Sequence, residues 1–178
     1  FAQAEPRIGT AVRIVNEVTA DQRPVATGDG VSQNETIEVR PASLGELKLD
    51  DDTKLALGPG ARLKLDRFVY DPNAATGDVA VSLVKGAFRF ITGAAQKKDY
   101  KIRTPSASVS VRGTVFDIYI ADNGAEYFLL HQGAIEICKG DGTERTACRI
   151  VLDACNVVRV SPQGNVGRPK GWKDRDQE

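Results

Sequence analysis

Tyr100 to Ile120 reads YKIRTPSASVSVRGTVFDIYI. Tyr100, Ile102 and Thr104 alternate with Lys101 and Arg103. Beyond Pro105, Ala107, Val109 and Val111 alternate with Ser106, Ser108, Ser110 and Arg112. Beyond Gly113, Thr114, Phe116, Ile118 and Ile120 take up the apolar phase. Strict alternation marks a strand with one buried face. The phase moves from even to odd numbers across Pro105 and back across Gly113. In an unbroken strand such a slip would turn the core face to solvent. Each break is therefore read as a corner or bulge that restores the inward direction, giving three short strand segments joined at bends.

The flanks carry the same signature. Ile8 to Val15 is a first strand, with Ile8, Val12 and Ile14 directed to the core. Thr19 to Gly30 reads as a loop, and Val31 to Val39 as a weaker strand. Leu47 and Leu49, Leu55 and Leu57, and Leu63 and Leu65 form three alternating pairs. Asp50-Asp51-Asp52 and Gly58-Pro59-Gly60 separate them, and Phe68-Val69-Tyr70 extends the last. A loop then runs from Asp71-Pro72-Asn73 to Gly77. Val79 to Val84 and Ala87 to Ile91 pair around Lys85-Gly86, with the Phe88 and Phe90 rings inward, and Gly93 to Asp99 is a polar connector. Asn123-Gly124 is a two-residue turn signal. Ala125 to His131, Ala134 to Cys138, Cys148 to Leu152 and Asn156 to Val160 supply the last strands. Short strands at this even spacing read as an all-β sandwich, barrel or solenoid with almost no helix; of these a β-solenoid-like fold is expected, with a flattened β-sandwich as the alternative.

Composition narrows the function. The chain has 178 residues, with Lys+Arg and Asp+Glu both at 24 and a formal net charge of zero. That balance argues against nucleic acid as a partner, and no apolar run approaches the length of a transmembrane segment. Phe1-Ala2-Gln3-Ala4 resembles the end of a secretory signal peptide. The expected organisation is an N-terminal segment 1–8 at or near that cut, a β domain 9–161 and a polar tail 162–178. An exported protein, periplasmic or extracellular, is expected.

Cys138 ends one strand and Cys148 begins the next, so antiparallel neighbours would bring them into a disulfide. Cys155 is left over, and three readings stay open: buried and inert, the true partner of Cys148, or bonded to another chain. His131 is the only histidine, so catalytic Ser-His-Asp or Cys-His sites have little to draw on. Zinc spacing, a phosphate loop and a haem motif are all absent. Asp50-Asp51-Asp52 reads as a solvated turn with Asp52 in a left-handed conformation, not a calcium site. No catalytic residue, metal or cofactor is expected. Arg112 falls on the outer phase beside the Gly113 bend, suited to bonding carbonyls there or to touching a partner. Thr104 and Thr114 are expected to hydrogen-bond within turns.

Several of these residues form one pattern. Gly86-Ala87-Phe88-Arg89-Phe90, then Thr104-Pro105, then Val111-Arg112-Gly113-Thr114-x-Phe116 resembles the core of the FecR domain family. Leu49-Asp50-Asp51-Asp52-Thr53-x-Leu55 and Gln132-Gly133-Ala134-Ile135-Glu136-Ile137 also fit, and the likeness runs from about Gly9 to Ser161. The resemblance implies a bacterial periplasmic or exported β-rich domain that binds and does not turn over substrate. The best-known members relay an outer-membrane siderophore signal to a sigma factor. They do so with a cytoplasmic segment, a membrane helix and a C-terminal signalling subdomain that are not read in these residues. The expectation is thus a stand-alone, non-enzymatic interaction or structural module of the cell envelope. Its partner is an envelope or extracellular protein, or copies of itself, and it could be an accessory subunit of a larger complex.

The tail from Pro162 to Glu178 is polar enough to be disordered unless something holds it. Trp172, the only tryptophan, is the candidate anchor, on a partner or back on its own domain. Two alternative functions follow. A periplasmic signal-transduction regulator of the FecR type is one. A carbohydrate or cell-wall binding module is the other; it needs aromatics in a groove, for which Tyr70, Tyr100, Tyr119 and Tyr127 look few and scattered.

Overall fold

In the computed structural model, which describes residues 3–71, 76–93 and 100–172, the phase switches read from the sequence are bends in the backbone. The first strands are β1 (Arg7–Val15), β2 (Val18–Ala20), β3 (Arg23–Pro24), β4 (Gly30–Ser32) and β5 (Thr36–Val39). The leucine pairs lie on β6 (Leu44–Leu49), β7 (Lys54–Leu57) and β8 (Arg62–Asp71). There follow β9 (Thr76–Ile91), β10 (Tyr100–Arg103), β11 (Ala107–Ile120) and β12 (Glu126–Lys139), then β13 (Cys148–Val151), β14 (Asn156–Val160) and β15 (Lys170–Gly171). Among the described residues, helix is confined to one 3-10 turn, Arg145–Ala147, and to the single residue Trp172.

All fifteen strands belong to one hydrogen-bonded sheet. Three long strands bend and so take part in two arms of it. β9 pairs with β8 and β10 through its first half, and with β7 and β11 through Gly86–Ile91. β11 pairs with β10 before its bend and with β9 after it. β12 pairs with β14 before its bend and with β13 after it. The mutual pairing of β9, β10 and β11 closes the sheet on itself as a barrel-like core. One apolar cluster fills the space between the arms, with Phe90, Phe116 and Phe128 among its largest fully buried side chains.

The all-β expectation holds; the solenoid is not confirmed. A solenoid stacks each coil only on its neighbours. Here β9 pairs with four other strands, and among the described pairings only β9–β10 is parallel.

The bends explain how an alternating sequence stays in register with one core. Along β11 the buried residues are Ala107, Val109 and Val111, then Thr114, Phe116, Ile118 and Ile120. Along β12 they are Glu126, Phe128 and Leu130, then Ile135, Ile137 and Cys138. Gly113 (φ 59°) and Gly133 (φ 87°) occupy the two corners. A Cβ on Gly133 would lie 2.4 Å from the Gly113 carbonyl oxygen, so two backbones meet where only glycine fits. The Thr114 hydroxyl donates to the Ala134 carbonyl at 2.8 Å and locks the same corner.

Pro105 makes a true turn. Glu126, fully buried, accepts the Thr104 hydroxyl at 2.5 Å and the Ser106 amide at 2.9 Å. This ties the turn to the first residue of β12. Asp51 is buried as well, in place of the solvated residue expected of its turn. It accepts the Thr53 amide at 2.9 Å and the Tyr100 hydroxyl, while Asp52 does adopt the left-handed conformation (φ 69°).

Other expectations change. Val12 is exposed because β1 is bulged there: Ala11 pairs with Leu47 and Arg13 with Glu46, leaving Val12 between. The loop expected at Thr19 to Gly30 holds β2 and β3. Lys85-Gly86 is a bend within β9, not a hairpin turn. The loop at Pro72 and Asn73 and the connector with Lys97 and Lys98 fall outside the described residues.

Candidate functional site

The arm that carries the second half of β9 and β11 and the first half of β12 turns its outer face to solvent. Alternation sets what that face displays. With Phe88, Ile118 and Phe128 inward, Ala87, Arg89, Asp117, Tyr119, Tyr127 and Leu129 must point out. Register then aligns them into rows. One row runs Ala87, Tyr119, Tyr127, Arg159, and the next runs Ala56, Arg89, Asp117, Leu129, Val157, Lys170. These rows floor a groove of about 1370 Å³ that Trp172 also lines.

Tyr119 and Tyr127 stack with centroids 6.2 Å apart and planes 25° from parallel. Tyr119 is 50% exposed and Trp172 44% exposed, so aromatic surface is presented to water. Beside the tyrosines, Arg89 donates twice to Asp117, Nε to Oδ1 at 2.6 Å and an Nη to Oδ2 at 2.8 Å. His131 Nε2 lies 2.8 Å from the same Oδ2. Partial burial raises the Asp117 pKa, but the hydrogen bonds from Arg89 and His131 and their charges outweigh it and hold the carboxyl below its ordinary value. The hydrogen bond and charge of Asp117 in turn raise that of Arg89. The Arg89–Asp117–His131 cluster is a fixed polar station on an otherwise apolar and aromatic floor. Its carboxylate is already committed to two donors. That arrangement suits recognition of a polar ligand better than proton transfer.

Among the described residues that line the groove, cationic side chains outnumber acidic ones: Arg89, Arg159, Arg168 and Lys170 stand against the carboxylate of Asp117. Arg159 and Arg168 form no ion pair among the described residues.

The structure places the expected site residues apart. Trp172 lines the groove; its amide donates to the Cys155 carbonyl at 2.9 Å, and the tail adds β15 to the edge of β14. Residues 162–172 therefore fold back on their own domain. Arg112 pairs with Ala134 at the Gly113 bend, and its side chain lies outside the described residues. The Thr104 hydroxyl oxygen also bonds within its turn, where it accepts the Ala107 amide at 2.9 Å. Cys138 and Cys148 face each other on β12 and β13 and are joined by a disulfide. Cys155 is exposed and unpaired, at φ 65° in the turn before β14. Burial and a bond to Cys148 are thus both ruled out for it.

The tyrosines that look scattered in sequence separate into two kinds. Tyr100 is buried with Asp51, whereas Tyr119 and Tyr127 are direct cross-strand partners. Their outward phase was the available signal; their adjacency needs the Asn123-Gly124 hairpin register, which pairs residue 119 with 127.

Comparison with known proteins bears on the same region. The pattern of the family described as FecR protein matches residues 35–136. Two crystal structures of a proposed anti-sigma factor from Parabacteroides distasonis ATCC 8503, at 1.65 and 2.50 Å, share the fold. Each superposes with a TM-score of 0.59 at 19% identity, over 76% of this chain and 59% of that one. The chain thus spans about three fifths of the length of that protein. No curated protein matches the chain.

Proposed function

The chain belongs to the FecR protein family, and from that premise we propose that it is a non-enzymatic, extracytoplasmic regulator of signal transduction of the FecR type, with the aromatic groove as its binding face. The observation that carries this reading is the family match, which spans more than half the chain and includes the β9 and β11 residues of the groove floor. The fold shared with a proposed anti-sigma factor agrees with it. The Cys138–Cys148 disulfide supports a periplasmic or extracellular location, since such bonds persist in oxidising compartments.

The test is transcriptional. Deleting the gene in its own host is expected to change the transcripts of one sigma-factor regulon. A stably folded groove variant, Arg159→Gln, is expected to reproduce that change. An unchanged transcript profile after deletion would remove the regulatory reading.

One observation favours a second reading, a docking or structural module of the envelope that associates with a partner or with itself. β13 is an edge strand, and Ile150 on it and Leu152 just after it are the most exposed large apolar side chains described, at 61% and 68%. A strictly monomeric chain that captures no envelope protein on cross-linking would dismiss this second reading.

A further inference from the structure

We infer that the groove binds an acidic polysaccharide, a chain of uronic-acid type whose sugar rings lie on Tyr119, Tyr127 and Trp172 and whose carboxylates pair with Arg159 and Arg168. The inference rests on the groove being the binding face proposed above and names the chemistry of its ligand.

Four observations converge. First, size: about 1370 Å³ exceeds the roughly 300–1,000 Å³ typical of a small-molecule pocket, so the occupant is extended. Second, the floor is aromatic. The stacked Tyr119–Tyr127 pair and the half-exposed Trp172 offer ring faces, whose negative charge attracts the C–H bonds that line one side of a pyranose. Third, charge. The whole chain is neutral, yet the described residues that line the groove include four cationic side chains and one carboxylate, and Arg159 sits directly across from Tyr127. A guanidinium beside a ring matches a carboxylate carried on a sugar. The Arg89–Asp117–His131 cluster adds donors and acceptors for hydroxyl groups.

The fourth observation separates a polysaccharide from an acidic peptide. The groove crosses the sheet over β7, β9, β11, β12 and β14, whose backbone groups are spent on their ladders. An extended peptide needs partners for its own amides and carbonyls, which a sheet edge supplies and a sheet face does not. A polysaccharide has no backbone amides to satisfy.

Calorimetric titration of the full chain with a short oligogalacturonate tests this, against a neutral cello-oligosaccharide and a polyglutamate peptide of similar length. Saturable binding of the oligogalacturonate is expected, with the neutral sugar at least tenfold weaker. Tyr127→Ala and Arg159→Gln should each weaken binding at least tenfold, while Tyr127→Phe, which keeps the ring, should restore it. Arg159 is exposed on the sheet face, so its variant reads the site even where loss of Tyr127 harms folding. Absence of saturable binding overturns the inference. So does equal affinity for polyglutamate, or indifference to both Tyr127→Ala and Arg159→Gln. If binding fails while Arg159→Gln still alters the regulon, the polysaccharide is wrong and the regulator stands; if binding holds while deletion leaves transcripts unchanged, the reverse is true.

Discussion

Glu126 is a carboxylate without access to water, held by the Thr104 hydroxyl and the Ser106 amide. Burial raises its pKa above the ordinary 4.5, and those hydrogen bonds oppose the rise without cancelling it. A carboxyl whose folded pKa exceeds its unfolded one favours the native state most while protonated. That contribution is complete below about pH 4.5 and is lost as pH climbs through the raised value. Glutamine keeps an acceptor for the turn and carries no proton to lose. Urea midpoints of wild type and Glu126→Gln are therefore expected to diverge with rising pH, the wild type losing ground; parallel profiles would contradict the account. Asp117 has the opposite sign, since its pKa lies below the ordinary 3.8. Its support is present above that value and is lost as pH falls. The cluster is partly exposed, so removing it with Asp117→Asn should cost no more than about 1 kcal/mol in an unfolding titration.

Among the elements, the bent strands are the most exacting. Alanine at position 133 would meet the Gly113 carbonyl oxygen and must hold φ near 87°. Gly133→Ala should destabilise the protein by roughly 2–3 kcal/mol, and a melting temperature within a degree of wild type would refute the corner's role. The disulfide between β12 and β13 closes a sequence separation of 10. Replacing both cysteines by serine should lower stability by roughly 3 kcal/mol if loop entropy dominates, which denaturant unfolding measures. These elements were also the most legible. Gly113 and Pro105 announce themselves because the apolar phase changes at each, and the leucine pairs of β6, β7 and β8 face the core as their parity requires. Val12 was misread because a bulge leaves no mark in a short run of mixed residues. The buried Asp51 was hidden too, since its partner Tyr100 is forty-nine residues away in sequence.

For the molecule as a whole, the site was less readable than the fold. A groove belongs to a sheet face, and faces emerge only when register is known: β7, β9, β11, β12, β14 and the tail each supply only a few of its residues. The tail shows this best, because its polar sequence predicts disorder while its backbone completes the edge of β14. Truncation after Ser161 removes β15 and Trp172 and bares that edge. The shortened protein is expected to melt earlier and to associate with rising concentration on size-exclusion chromatography; unchanged behaviour would show that the tail is dispensable. β9, β11 and β12 have a further consequence. Each is one length of backbone belonging to both arms, so neither arm can open while the other remains intact. In deuterium exchange their central amides should become labelled together and last, at the rate of global unfolding and not of any smaller fluctuation.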